Sequence, residues 1–415
     1  MAAHPSFVPR LLSTAIERDL SYMPVVAVVG PRQSGKTTLV RRLASDRAYI
    51  SFDDDPTVRA AALDPGRFVA ALPRRVTLDE IQRVPQLLPA IKRSVDRDRE
   101  PGSFLLTGSA NLLLLPRVTE SLAGRMAIAD LQPLTEAEKE GRAGRFLGLL
   151  LEGAIRPRVG GSPTDAGPSL EERVVAGGYP SVLPLTPATA RAWHRQYLRT
   201  VIERDVRDVA RIRDAGELGR LLALLANRKG RLFRAASLAG DVDLHRSTVE
   251  HYLSVLERLF LVRRLPAWHR SPGRRLIRSP KVHFVDSGLA ATLAALSAPD
   301  LAVNRDLLGH LLESLVVQQL IAQAAWTDPD LEFWHYRDKD QVEVDLVMTR
   351  GARTWGFEVK AGSSPSPGDG RGLARLAERC GKDFAGGILF HTGPDILPLA
   401  DARMLAAPVS ELWRR

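Results

Sequence analysis

The sequence predicts an α/β protein whose first unit is a mostly parallel sheet, followed by a winged-helix unit and a second α/β unit. Three observations predict the sheet. Gly30-Pro31-Arg32-Gln33-Ser34-Gly35-Lys36-Thr37 has a Gly, four residues and then Gly-Lys-Thr, the spacing of a phosphate-binding P-loop. The apolar run Pro24–Val29 precedes it and the helix-like Thr38–Leu43 follows, giving the strand–loop–helix context the motif needs. About forty residues on, the apolar Val76-Thr77-Leu78 ends in two adjacent acids, Asp79 and Glu80.

Each part has a chemical reason. Glycines let the loop curl so that successive N–H groups point inward, and the helix N-terminus adds positive potential. Gly30 to Thr38 are therefore the candidate nucleotide-binding residues, for ATP with Mg²⁺. Lys36 can reach the β- and γ-phosphates and Thr37 can ligate Mg²⁺. Of the acids, Asp79 suits the metal and Glu80 suits polarising the attacking water. On its own such a pair can also be a helix start after a strand.

The remaining elements of this unit follow in order. Residues 1–22 read as a short helical lead-in and Ala48–Phe52 as a second strand, ending in the acidic turn Asp53-Asp54-Asp55-Pro56. Phe104–Ser109 is a strand with a polar end, making Thr107, Ser109 and Asn111 candidates for contact near the γ-phosphate. Met126–Ala129 is a fifth strand. Arg125, just before it, is a candidate arginine finger, in cis or across a subunit interface, with an ordinary surface arginine as the alternative. Glu136–Gly167 is rich in Gly, Pro and Arg and reads as a connector, and Gly177-Gly178-Tyr179-Pro180 as a turn.

Composition limits the classes available. The 415 residues are 45% hydrophobic and 26% charged, ordinary for a soluble globular protein of two to four domains. The formal net charge is +10, and the excess is local: Arg191 to Pro280 holds 20 Lys and Arg against 9 Asp and Glu. A concentrated basic segment is the footprint of an anionic partner, nucleic acid first and a membrane surface second. Cys380 is the single cysteine, so no intrachain disulfide forms and a reducing cytoplasm is the expected home. No apolar run reaches the roughly 20 residues of a membrane span, so no membrane partner is expected, and the N-terminus lacks a signal-peptide pattern.

Within the basic segment, Trp193 to Arg213 reads as one helix with Leu198, Ile202, Val206 and Val209 along a face. Leu232–Leu265 has winged-helix order: a helix at Ala235–Ala239, a turn at Gly240–Asp243, a second helix at His245–Phe260 and a wing beginning at Leu261. Arg246, Ser247 and Glu250 lie off the buried stripe of Val249, Leu253, Leu256 and Phe260, where recognition helices meet bases. Winged helices also serve as protein-binding or ATPase-lid modules; the basic excess favours DNA.

Lys281–Asp286 reads as a strand entering the last unit, and Leu307–Ala322 as a helix carrying Glu313. Val342–Val347 alternates, so Glu343 and Asp345 share a face, and in Trp355–Lys360 Glu358 and Lys360 share another. Pairing the strands would gather Asp345, Glu358 and Lys360 in the D…ExK arrangement of restriction-endonuclease-like folds, where carboxylates hold Mg²⁺ and the lysine orients water or stabilises developing charge.

The order of motifs resembles a family of prokaryotic AAA-type ATPases with a C-terminal domain of unknown function related to PD-(D/E)xK nucleases. The carriers are GPRQSGKTT, VTLDEIQ, LLTGSANLLLL, ESLAGR, GGYP, YLRTVIERDVRDV, SLAGDVDLHRSTVEHYLSVLERLFLVRRL, SPKVHFVDSGL, LLESLVVQQL and EVDLVM with GFEVKAG, which span nearly the whole chain. The resemblance implies nucleotide binding by Gly35, Lys36 and Thr37, a Walker B site at Asp79 and Glu80, and nuclease-like positions at Glu313, Asp345, Glu358 and Lys360, with Glu313, Asp345 and Glu358 as metal ligands there. It also implies four parts: a P-loop ATPase domain over 1–135, a connector or lid over 136–190, a helical and winged-helix domain over 191–275 and a nuclease-like domain over 276–415. The expected function is ATP hydrolysis acting on or with DNA, with a homo-oligomer as a further possibility. The other reading is an ATP-switched regulator whose nuclease-like domain is an inactive scaffold.

Overall fold

The first sheet is organised by five short apolar runs, too short for helices and separated by helical segments: β1 (Val25–Val29), β2 (Ala48–Ser51), β3 (Val76–Asp79), β4 (Phe104–Gly108) and β5 (Met126–Asp130). In the computed structural model, described over residues 7–43, 46–109, 122–160, 167–206, 214–227, 235–270, 279–366 and 368–415, they pair in parallel in the order β2-β3-β4-β1-β5. β1, β3 and β4 are buried along their whole length, as central strands covered on both faces must be. Because β4 lies between β1 and β3, the loops after β1 and β3 leave the same edge of the sheet on either side of β4, where ligands of open α/β sheets bind.

The stretch expected as a connector instead holds two short helices, Glu136–Lys139 and Phe146–Leu151. Phe146 and Leu147 are fully buried in a core shared with the C-terminal half. The partner is the 23-residue helix Arg305–Thr327, buried on most sides. Its glutamines satisfy backbone groups that burial would otherwise orphan. Gln319 Oε1 accepts from Glu136 N at 2.9 Å, Gln323 Oε1 accepts from Leu147 N at 3.0 Å, and Gln323 Nε2 donates to Leu412 O at 2.7 Å.

In the middle of the chain, the helix expected from Trp193 begins at Pro187, with Thr186 as its N-cap, and continues through Thr200 into a wider turn over Val201–Asp205. Its expected end, including Arg207 and Val209, lies outside the described residues. The short helix Ala235–Val242 runs through Gly240, so the turn falls later than expected, at Asp243, whose φ is 54°. The second helix is Arg246–Arg258. Val249, Leu253, Leu256 and Phe260 are all buried as expected, Phe260 against the core of the first sheet. β6 (Val262–Leu265) then pairs antiparallel with β7 (Lys281–Phe284), so the strand expected to open the last unit closes this hairpin.

The last unit is a six-stranded mixed sheet of β8 (Glu332–Arg337), β9 (Glu343–Arg350), β10 (Arg353–Val359), β11 (Phe384–His391), β12 (Leu397–Pro398) and β13 (Met404–Pro408), in the order β12-β13-β11-β10-β9-β8. Trp355 and Phe357 share a core with helix Arg305–Thr327; Leu373 and Leu376 of helix Arg371–Cys380 pack in another. Among the described residues, no helix is long and apolar enough to cross a membrane.

Candidate functional site

The P-loop leaves β1 at Gly30 and enters the helix Lys36–Leu43. Gly30 and Gly35 have φ of 154° and 93°, and a Cβ on Gly30 would lie 2.2 Å from the Leu131 carbonyl oxygen. A side chain at Gly30 would therefore push the loop off the sheet. Lys36 is buried inside the curl, its Nζ donating to the Gly30 and Pro31 carbonyls at 3.0 and 2.9 Å. Burial lowers its pKa to about 8, opposed by the charges of Glu80 and Asp79. Ser34 Oγ is buried there with no hydrogen-bond partner among the described residues. An enclosed ammonium and an orphaned hydroxyl in a glycine-shaped curl fit a polyphosphate. Of the other loop residues, Pro31 is buried, Arg32 and Thr37 are half-buried, and Gln33 and Thr38 are exposed.

A chain of short polar contacts joins this loop to the ends of β3 and β4. Thr37 Oγ1 donates to Asp79 Oδ2 at 2.9 Å, and Thr107 Oγ1 donates to Asp79 Oδ1. Glu80 N donates to Thr107 Oγ1 at 3.0 Å, and Ser109 Oγ donates to Glu80 Oε2 at 3.1 Å. Glu80 has φ 58° and ψ 44°, an uncommon backbone for a non-glycine residue that clusters at functional sites. Thr37 and Asp79 thus meet directly beside the glycine-shaped curl, and together could hold a Mg²⁺ ion there. Asn111 lies outside the described residues.

Several contributors were not legible as such. Tyr49 Oη donates to Asp79, and Gln82 Nε2 donates to Glu80. Arg10, buried, ties the loop down: Nη1 donates to Ser34 O at 2.8 Å, Nη2 to Gln132 O at 2.7 Å and Nε to Glu138 at 2.9 Å. The Gly177–Pro180 segment reaches the loop as well, since Pro180 lies against Gly35 and the Tyr179 hydroxyl donates to Tyr197, which donates to Arg32 O at 3.3 Å.

Arg125 is elsewhere. It immediately precedes β5, whose Met126 pairs with Val25, while the P-loop follows Val29. At ~3.3 Å per strand residue this is about 13 Å away, at the opposite edge of the sheet. Its guanidinium pairs with Asp96 and with the Ala123 carbonyl at 3.1 Å. The in-cis arginine finger is therefore corrected: the strand length separates Arg125 from its own P-loop.

In the C-terminal unit the strands do pair as expected: β9 and β10 are antiparallel with Leu346 opposite Phe357. Asp345 Oδ2 accepts from Val359 N at 3.0 Å. Glu358 is buried, accepts from Leu373 N at 2.9 Å, and has its pKa pushed up to about 8 by burial and by Asp345. Lys360 is 41% exposed with its Nζ 3.8 Å from Glu358. Burial and Asp345 push the pKa of Glu313 up, opposed by the Lys281 ammonium in contact with it.

The expected metal set of Glu313, Asp345 and Glu358 is not met as expected. The buried ammonium of Lys281 touches Glu313 and stands 3.2 Å from both Glu343 and Asp345. Burial alone would lower its pKa, but these three carboxylates outweigh burial and hold it above the usual lysine range. Among the described residues, no group of three or more His, Cys, Asp or Glu is placed, as the side chains stand, to hold a metal ion. The acids as arranged fit a lysine rather than a divalent cation.

Comparisons with known proteins agree with the P-loop geometry. A family model described as an AAA domain matches residues 22–139. Two models described as domains of unknown function, DUF8612 and DUF4143, match residues 167–300 and 308–412. The uncharacterized proteins Mb2031c of Mycobacterium bovis and Rv2008c of Mycobacterium tuberculosis are each 34% identical over 355 residues, covering 85% of this chain and 73% of the relative. Among solved structures, the Walker-type ATPase PABY2304 of Pyrococcus abyssi is 17% identical, covering 68% of this chain and 94% of that one, with a TM-score of 0.42.

Proposed function

The chain belongs to one family with these two mycobacterial proteins, and its AAA domain makes it an ATPase; from that premise we propose that it hydrolyses ATP to act on or with DNA. The observation that carries the hydrolytic part is the contact chain Thr37–Asp79–Thr107–Glu80–Ser109 across the P-loop, β3 and β4. Lys36 binds the β- and γ-phosphates. Thr37 and Asp79 would hold Mg²⁺, which when bound neutralises charge on the phosphate oxygens. Glu80, fixed by Ser109 and Gln82, orients and polarises the attacking water. Lys36→Ala should abolish ATP binding and turnover in the purified protein; unchanged turnover would reject this site.

The DNA part is supported by the basic excess over 191–280 and by winged-helix order. Helix Ala235–Val242, helix Arg246–Arg258 and the β6–β7 hairpin follow one another, with Arg246 and Ser247 exposed at the start of the second helix. Duplex affinity should fall steeply with salt and fall again in Arg246→Ala, whereas salt-insensitive binding would argue against it. The position of Arg125 supports a finger only across an interface between two copies. ATPase activity per chain that rises with protein concentration and drops in Arg125→Ala would reveal that form.

For the C-terminal unit, the antiparallel pairing of β9 and β10, with Asp345 accepting from Val359 N beside Glu358, supports a nuclease-like scaffold. The placement of Lys281 favours the second reading, a regulator whose scaffold does not cut. Mg²⁺- or Mn²⁺-dependent cleavage abolished in Glu358→Ala and in Asp345→Ala would decide for the nuclease.

A further inference from the structure

The geometry points to Lys281 as a built-in counter-ion that takes the place of a divalent cation among Glu313, Glu343 and Asp345. The inference rests on these side chains and not on the ATPase or DNA readings. Glu313 comes from helix Arg305–Thr327, and Glu343 and Asp345 from one face of β9. Carboxylates converging from two elements are what a hard cation recruits. Here the point of convergence is filled by an ammonium, in contact with Glu313 and 3.2 Å from each of the other two. An ammonium has three donors, and three carboxylates surround this one.

Of the neighbours, one is neutral and one shares Glu343. His283, two residues along β7, lies 3.6 Å from Glu313 and is held well below its usual pKa by burial and by Lys281, so it is neutral. Arg337 Nη1 stands 3.5 Å from Glu343 Oε2, whereas Lys281 faces Glu343 Oε1. Lys360 stands outside, half-exposed near Glu358. Lys281 is also delivered from a different unit: it pairs with Leu265 in the β6–β7 hairpin, so docking of that hairpin inserts the charge.

The test is Mn²⁺ binding to the nucleotide-free full chain, followed by electron paramagnetic resonance and by thermal melting. Wild type should show no Mn²⁺ binding that depends on Asp345, judged against Asp345→Asn. Lys281→Met should melt at a lower temperature in EDTA, recover with Mn²⁺, bind a single equivalent, and lose both effects when Asp345→Asn is added. If Lys281→Met does not fold in EDTA, adding Glu313→Gln should restore folding by removing one uncompensated charge. Asp345-dependent Mn²⁺ binding in wild type would overturn the proposal. So would a folded Lys281→Met protein that binds none, or a failure of both Mn²⁺ and Glu313→Gln to restore an unfolded one.

Discussion

Two buried lysines in this molecule sit near carboxylates and are held in opposite ways. Lys36 donates to two backbone carbonyls, with Asp79 and Glu80 acting on it only through their charge, and burial lowers its pKa to about 8. Lys281 touches or closely faces three carboxylates, which keep it firmly charged. Carbonyl bonds can be exchanged for phosphate oxygens without stranding a charge, so Lys36 is suited to a ligand that comes and goes. Leaving its place would strand buried Glu313 and the half-buried Glu343 and Asp345, so Lys281 is suited to permanence. Similar ingredients give a reaction site at one end of the chain and a structural lock at the other.

Neutralising each site should separate them most sharply. Lys281→Met should cost about 3–5 kcal/mol of stability in urea unfolding, the range for a buried ion pair losing one partner, while a loss within experimental error would dissolve the contrast. Asp79→Asn should leave stability nearly unchanged and lower ATP turnover by about a hundredfold, as removal of one preorganised electrostatic group does; steady-state ATPase assays read this.

The pH responses differ in kind. Glu358 holds a proton up to about pH 8 in the fold, against an ordinary 4.5. Its contribution to stability is therefore full below pH 4.5 and is lost as pH rises through about 8. Glu358→Gln should flatten that part of the stability profile measured by denaturant unfolding. Lys36 loses its charge above about pH 8 in the free enzyme, so kcat/KM for ATP should fall as pH climbs through that value. The smallest effect is expected from Tyr49→Phe. It removes a hydrogen bond to Asp79 and keeps the ring under Arg41, costing about 1 kcal/mol, or a few-fold in kcat/KM.

What was legible in the sequence follows from distance along the chain. Gly30–Thr37 is a local pattern, and Asp79 and Glu80 announce themselves by ending an apolar run, so the first site could be read before any fold was known. The pairing of the two strands that carry Asp345 and Glu358 was also expected from their alternation. The place of Lys281 was not, because its carboxylates lie 32 to 64 positions away, on a helix and a strand of another unit, and alternation says nothing of which strand docks where. Arg10 was hidden for the same reason: its partner Glu138 is 128 positions away. The glycines and arginines of Glu136–Gly167 predict a connector, whereas helices Glu136–Lys139 and Phe146–Leu151 lie within it. The apolar run Phe146–Leu151 within it was the available signal that this stretch is core.

The central claim is that the P-loop and the ends of β3 and β4 form a site that hydrolyses ATP rather than merely holding it. A single-turnover assay of Glu80→Gln tests this most directly, measuring ATP bound and ATP cleaved in the same sample. The account predicts ATP bound as in wild type and not cleaved. Cleavage at the wild-type rate in Glu80→Gln would contradict it.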